Sequence, residues 1–302
     1  MVLDSLISVF LVIALGWFLR RTLLSEEGGW KALEVISYYL LVPILIARTL
    51  AHARLSEVPV TRLASVLVGT VLILALVLVL ARPLIEKLLR TDPPGFTSIF
   101  QGTLRWNSFI ALAIAGNLFG KEGVTLAAVA IASLIPILNI LCVSVLKKYG
   151  TGEDSLLRGL VTNPFILGTL LGILLNVTQP PIPKAIDLAF DIMGQCALGT
   201  GLLLVGAGLR LEDIHRPSPA LLAGVFLRLL VTPLVGYGLA MMAGLSGNAV
   251  IIAVICLGVP TASAAWLLAR KMGGDAPLMA AIITGQTLLS MLTLPILIAL
   301  LT

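Results

Sequence analysis

The chain has 302 residues, 59% of them apolar and 12% charged; a soluble domain carries about 25% charged residues, so a soluble globular fold is excluded. Mean hydropathy is +1.09. The net charge of +5 does not point to nucleic acid, because the basic residues sit in short loops between apolar runs, where they orient a membrane protein in a lipid bilayer.

In chain order, the apolar runs are residues 2–20, 33–51, 63–81, 96–119, 124–146, 163–178, 186–208, 219–243, 247–269 and 276–301. Each has roughly the 17–25 residues that an α-helix needs to cross a bilayer. The first has no basic residue ahead of it and carries Arg20 and Arg21 at its end, so it reads as a spanning helix rather than a cleaved leader. The longest connection, KKYGTGEDSLLRGLVT at 147–162, falls midway. The expected organisation is therefore a five-helix unit over 1–146, a cytoplasmic linker over 147–162 and a second five-helix unit over 163–302.

Lys and Arg in alternate loops set the direction. The loops after spans 1, 3, 5, 7 and 9 hold 13 of them (Arg20, Arg21, Lys31, Arg82, Lys87, Arg90, Lys147, Lys148, Arg158, Arg210, Arg216, Arg270 and Lys271). The opposite set holds five: Arg48, Arg54, Arg62, Lys121 and Lys184. The first set faces the cytoplasm, which puts both termini outside the cell (inner or plasma) membrane. An odd number of spans per unit means that a duplicated half inserts upside down. An offset of 153 aligns LRWNSFIALAIAGNLFGKEGVTLAA (104–128) with LGVPTASAAWLLARKMGGDAPLMAA (257–281). Identities are few, but the order of features is shared: a polar break, about nine helical residues, a glycine-acid turn and a small-residue helix start.

The breaks are Arg105-Trp106-Asn107-Ser108 in span four and Gly258-Val259-Pro260-Thr261 in span nine. Proline removes a backbone donor, and bare backbone in hydrocarbon is tolerated only where protein or a wet cavity covers it. Inverted-repeat carriers place such broken helices at mid-membrane around substrate, with half-helix N-termini favouring anions. The candidate substrate-binding residues are Asn107, Arg105, Ser108, Pro260, Thr261 and Ser263. An ordinary kinked membrane helix is the alternative, since Pro and Gly are common in spans.

Other polar residues carry two readings each. Arg105 either binds a carboxylate or satisfies carbonyls freed by the break. Arg228, deep in span eight, is expected to support the crossover, paired with Asp191 or with helix-end carbonyls. Asp187 and Asp191 compensate a helix dipole or carry a proton or cation. Gln195 and Thr200 either line the scaffold side of the path or pack closely beside Gly199 and Gly201; Gly168 and Gly172, spaced four apart, read as packing. Gln286, Ser133 and Asn139 either satisfy one another or line the core. His52 and His215 lie in or beside loops, and Cys142, Cys196 and Cys256 read as small apolar residues, so no metal or cofactor is expected.

Three blocks together resemble the auxin efflux carrier family: NSFIALAIAGNLFG (107–120), NPFILGTLLGILLN (163–176), and PTASAAWLLARKMGGD with TLLSMLTLP (260–275 and 287–295). The resemblance runs over the whole chain. It implies an all-α integral membrane protein with a fold shared with bile-acid symporters, in which spans 1, 2, 6 and 7 form a scaffold. Spans 3–5 and 8–10 then form a core that carries the crossing of broken helices 4 and 9. It further implies an elevator-like secondary transporter of small organic anions, auxin or dicarboxylates such as malonate or malate, that dimerises through the scaffold. Asn107 and Pro260 match the family's crossover positions; where many relatives place a second asparagine, this chain has Thr261-Ala262-Ser263-Ala264. Energy would come from the membrane potential or from an H+ or Na+ gradient. A sodium-coupled symporter of the bile-acid type is the rival, disfavoured because spans 4, 5, 9 and 10 contain no Asp or Glu. An intramembrane enzyme lacks its histidine ligands and buried acid, no phosphate-binding G-x-x-x-x-G-K-[ST] loop is present, and a channel is a further alternative.

Overall fold

A computed structural model describes residues 2–53, 59–152, 163–214 and 217–301. Helix makes up 85% of the described residues, and none of them is in a strand. Hydrocarbon requires each backbone group to be paired within the protein, and a helix does this inside its own segment. The helices are α1 Val2–Arg21, α2 Glu27–Ala51, α3 Val60–Leu80, α4 Arg82–Leu89, α5 Pro93–Leu104, α6 Ser108–Tyr149, α7 Pro164–Thr178, α8 Lys184–Ala207, α9 Pro219–Met242, α10 Asn248–Gly258, α11 Ala264–Met272 and α12 Ala276–Leu301. Among the described residues, seven helical stretches are long and apolar enough to cross a membrane, the run from α5 through α6 counting as one. Helices α7 and α10 are apolar but shorter. Most of the expected 147–162 linker, with Arg158, and Arg54, His215 and Arg216 lie outside the described residues.

Two boundaries differ from the sequence-based expectation. Helix α2 starts at Glu27, six residues ahead of the apolar run, because Trp30 is buried and its indole N–H donates to the Leu24 carbonyl at 2.6 Å. The stretch after span three is not only loop. It contains α4, an amphipathic helix whose Leu84 and Leu88 are exposed.

Local chemistry explains the irregular turns. Pro43 and Pro233 each follow a π-helical turn, Ser37–Leu41 and Leu227–Val231, where Val42 N–H donates to Ser37 O and Thr232 N–H to Leu227 O. Widening the turn by one residue accommodates a proline ring that would clash with the carbonyl four residues back. Gly120 breaks α6 at φ 56°, ψ −134°, a left-handed conformation open to glycine. The chain doubles back so tightly there that a Cβ on Gly123 would collide with the Ala115 carbonyl.

Helix α2 packs along α7 and α8, and α1 packs along α8. Small residues permit these contacts: a Cβ on Gly168 would come within 2.7 Å of Pro43 O, and one on Gly172 within 2.7 Å of Ala47 O. Helices α3 and α10 pack on α6 and α9, and α9 packs on α5 and α12.

Candidate functional site: two helix breaks joined in the core

Each break has a local cause. Helix α5 ends when Arg105 turns extended at φ −70°, ψ 153°. Helix α6 restarts two residues later because Asn107 caps it, its Oδ1 accepting from Phe109 N at 3.1 Å and Ile110 N at 3.3 Å. In the second break Pro260 disfavours the helical conformation of the residue before it, and Val259 is extended at φ −65°, ψ 151°, closing α10. Helix α11 begins at Ala264 without a side-chain cap.

The breaks lie side by side. Asn107 N–H donates to Pro260 O at 2.8 Å. Thr261 Oγ1 donates to Gly102 O at 2.7 Å and lies 3.1 Å from Arg105 O. Gln286, from α12, ties both together: its Oε1 accepts from Thr261 N at 2.8 Å, and its Nε2 donates to Gly102 O at 2.8 Å and Gly224 O at 3.0 Å. Arg228, wholly buried on the π-turn of α9, donates to Val259 O and Cys256 O at 2.8 Å each, and to Thr103 O and Leu104 O at 3.3 and 3.4 Å. The backbone groups that the breaks release are thus taken up by side chains, as hydrocarbon demands.

A pocket of about 120 Å³ opens beside the crossing, walled by Arg105, Trp106 and Ser108 of the first break, Ala262 and Ala264 of the second, and Tyr38, Asn139, Asn163 and Phe165 among its other neighbours. Arg105 is half-buried; its Nη2 donates to Asn139 Oδ1 at 3.2 Å, and its Nη1 is buried with no hydrogen-bond partner. One turn earlier, Gln101 is fully buried with both amide atoms unpaired. Buried polar groups are ordinarily satisfied, so a guanidinium that lines a cavity and keeps one nitrogen unpaired retains unused donor capacity.

The structure redistributes the expected site residues. Arg105 and Ser108 line the pocket together. Asn107 is 2% exposed, and its Oδ1 is occupied by the cap, which leaves its Nδ2 donors outside the capping bonds. Pro260 contributes its carbonyl to the crossing. Thr261 is 0% exposed and its hydroxyl is engaged by two carbonyls. Ser263 is exposed and does not line this pocket.

Three further expectations are corrected. Arg228 is not partnered by Asp191: Asp191 and Asp187 both pair with Arg48 of α2, with Arg48 Nε donating to Asp187 Oδ1 at 2.9 Å and Nη1 to Asp191. An arginine counted only as an outer-flank charge thus binds α2 to α8. Gln195 donates to Asp191 Oδ2 at 2.8 Å and belongs to that outer cluster, away from the pocket. Thr200 donates to Cys196 O at 2.7 Å and accepts from Ser37 Oγ at 3.2 Å, so it joins α8 to α2 and is not on the pocket wall. Gln286, Ser133 and Asn139 do not satisfy one another: Ser133 donates to Val129 O at 2.8 Å, and Asn139 accepts from Arg105.

Sequence reasoning missed Tyr38, Trp106, Asn163 and Gln101. A glutamine in an apolar span is itself a signal, since polar groups are expensive there. Nothing in the spacing of Tyr38 or Asn163 brings them to this wall.

Repeated apolar helices, two of them interrupted where they meet a buried cation, describe a helical membrane protein. Residues 151–298, just under half of the chain, match the family described as membrane transport protein, which is auxin efflux carrier-like. It is a multi-pass membrane protein whose matched residues are similar to a family of transporters. A comparison with curated proteins finds no match.

Proposed function

We propose that this protein is a secondary transporter of small organic anions, with its site in the pocket at the crossing of the two broken helices. The observation that carries the proposal is Arg105 on the pocket wall, a guanidinium whose buried Nη1 has no hydrogen-bond partner. A guanidinium there pairs with a carboxylate through parallel N–H donors. Ser108 supplies a hydroxyl from the α6 side. The second wall, Ala262 and Ala264, is the uncapped start of α11, whose positive dipole end favours an anion. Asn107, Thr261 and Gln286 hold the frame.

In this reading the helices form ten crossing segments in two inverted five-helix repeats, with α5–α6 and α10–α11 as the broken fourth and ninth. Helices α1, α2, α7 and α8 form the scaffold, and α3–α6 and α9–α12 the moving core. The packing of α2 on α7 and α8 supports that division. The pocket draws its wall from both parts, with Tyr38, Asn163 and Phe165 on the scaffold and Arg105 in the core. Sliding the core against the scaffold, as an elevator, would open the pocket to each side of the membrane alternately. The carrier works in the cell membrane as a homodimer, with both termini outside.

The test is uptake of radiolabelled malonate, malate and indole-3-acetate into proteoliposomes under an imposed potential, then under a pH or Na+ gradient. We expect saturable uptake of one anion. A hydrogen bond to a charged group contributes about 1.5–3 kcal/mol, so Arg105→Ala should lower transport roughly 10- to 100-fold, with Arg105→Lys intermediate. Uptake unchanged in Arg105→Ala would move the site elsewhere. Uptake that strictly requires Na+ would favour the rival sodium-coupled symporter.

A further inference from the structure

We propose that Arg228 is a tethered cation of the crossing: its guanidinium neutralises the C-terminal ends of α5 and α10 together and so positions both walls of the anion pocket. The inference rests on the reading of that pocket as the anion site, and it assigns a positioning residue that never touches the anion.

Arg228 is 0% exposed, yet every partner it has among the described residues is a backbone carbonyl. Thr103 O and Leu104 O belong to the last turn of α5, and Cys256 O and Val259 O to the end of α10. No carboxylate pairs with it among the described residues. A helix C-terminus carries about half a negative charge, so two of them facing one guanidinium sum to neutrality. A buried cation without a carboxylate is otherwise costly, and here the helix ends supply the counter-charge.

The grip falls where it matters for the pocket. Leu104 immediately precedes Arg105, and Val259 immediately precedes Pro260. One planar fork therefore fixes the peptide leading into each wall. The π-turn Leu227–Val231 carries Arg228, and Thr232 steadies that turn by donating from Oγ1 to Leu227 O at 2.8 Å. With the helix ends neutralised, the field in the pocket is set by Arg105. Without Arg228, two uncompensated carbonyl ends would oppose an incoming anion across a low-dielectric core.

Three variants separate charge, shape and fork. Arg228→Lys keeps the charge and loses the planar fork, Arg228→Met keeps bulk and loses the charge, and Arg228→Ala opens a guanidinium-shaped space. Thermal unfolding of each is measured in nanodiscs with millimolar guanidinium or choline chloride, far below the molar range in which guanidinium denatures. The anion KM is then measured in proteoliposomes with the same two salts. We expect Arg228→Ala to unfold several degrees lower and to be restored by guanidinium and not by choline, with wild type and Arg228→Met indifferent to the choice. We expect KM to rise at least about tenfold in Arg228→Ala and Arg228→Met, a free-energy change of about 1.4 kcal/mol. It should return toward wild type with guanidinium in Arg228→Ala alone, and Arg228→Lys should lie nearer wild type than Arg228→Met.

A folded Arg228→Ala that guanidinium does not stabilise would overturn the proposal, as would an Arg228→Met variant equal to wild type in both measurements. If Arg228→Ala does not fold, the Lys and Met variants decide by their order in unfolding temperature, and equality between them refutes the role of charge. The unfolding measurements need no substrate. Absence of transport in wild type would therefore count against the anion-carrier reading while leaving the tethered cation to be judged on its own.

Discussion

The two helix breaks lie side by side, yet they are built differently. The first, Arg105 to Asn107, is closed by a side chain: Asn107 occupies the amides of Phe109 and Ile110. It also presents a cation whose Nη1 has no partner. The second is made by Pro260, and its helix starts without a cap. One break supplies the charge and the other supplies open backbone. Related backbones need not share chemistry, because a dipole end can be filled by the chain itself or left for a ligand.

That contrast can be broken most severely at Gln286, the side chain that touches both breaks. Gln286→Leu leaves buried Thr261 N without its partner and removes one donor each from Gly102 O and Gly224 O. At about 1–3 kcal/mol per stranded buried group, folded yield and unfolding temperature should both collapse. The next effect separates two neighbours in the second break. Thr261→Val strands Gly102 O in part and Arg105 O, and should cost about 1–3 kcal/mol, read as a lower unfolding temperature. Ser263→Ala, at an exposed and uncapping position, should leave that temperature unchanged.

Asn107 sharpens the assignment of the first break. If it is a cap, Asn107→Ala costs about 1 kcal/mol and Asn107→Ser or Asn107→Asp recovers most of it, with KM for the anion moving less than stability. If only asparagine restores transport while stability is unaffected, its amide contacts substrate after all. The smallest effect is expected outside the crossing. Arg48 and Asp187 have side chains 29% and 28% exposed, and ion pairs of that kind contribute about 0–1 kcal/mol. Arg48→Gln should thus lower the unfolding temperature slightly and leave anion KM as it was.

Much of the architecture was readable from residues alone. Apolar runs located the helices, since length in hydrocarbon is set by bilayer thickness, and Pro260 and the Asn107 cap marked both breaks because their effects are local. The boundaries that failed, the early start of α2 and the helix α4, are amphipathic or polar stretches, for which hydropathy is a poor guide. Within the site, Arg105 and Ser108 were legible as polar residues beside a break. Asn107, Thr261 and Ser263 were equally legible, and nothing in the sequence distinguished a wall residue from a frame residue.

What the sequence determined by itself was a helical membrane chain interrupted twice, once by a polar segment and once at a proline, because propensity and burial length act within a few residues. What only the tertiary structure decided was partnership: that Arg228 meets four carbonyls and not Asp191, that Arg48 holds both aspartates, and that Gln286 joins the breaks. Those pairings span from 25 to 184 residues of chain. They follow from which buried donor finds which buried acceptor once the helices have packed, and no local rule contains that information.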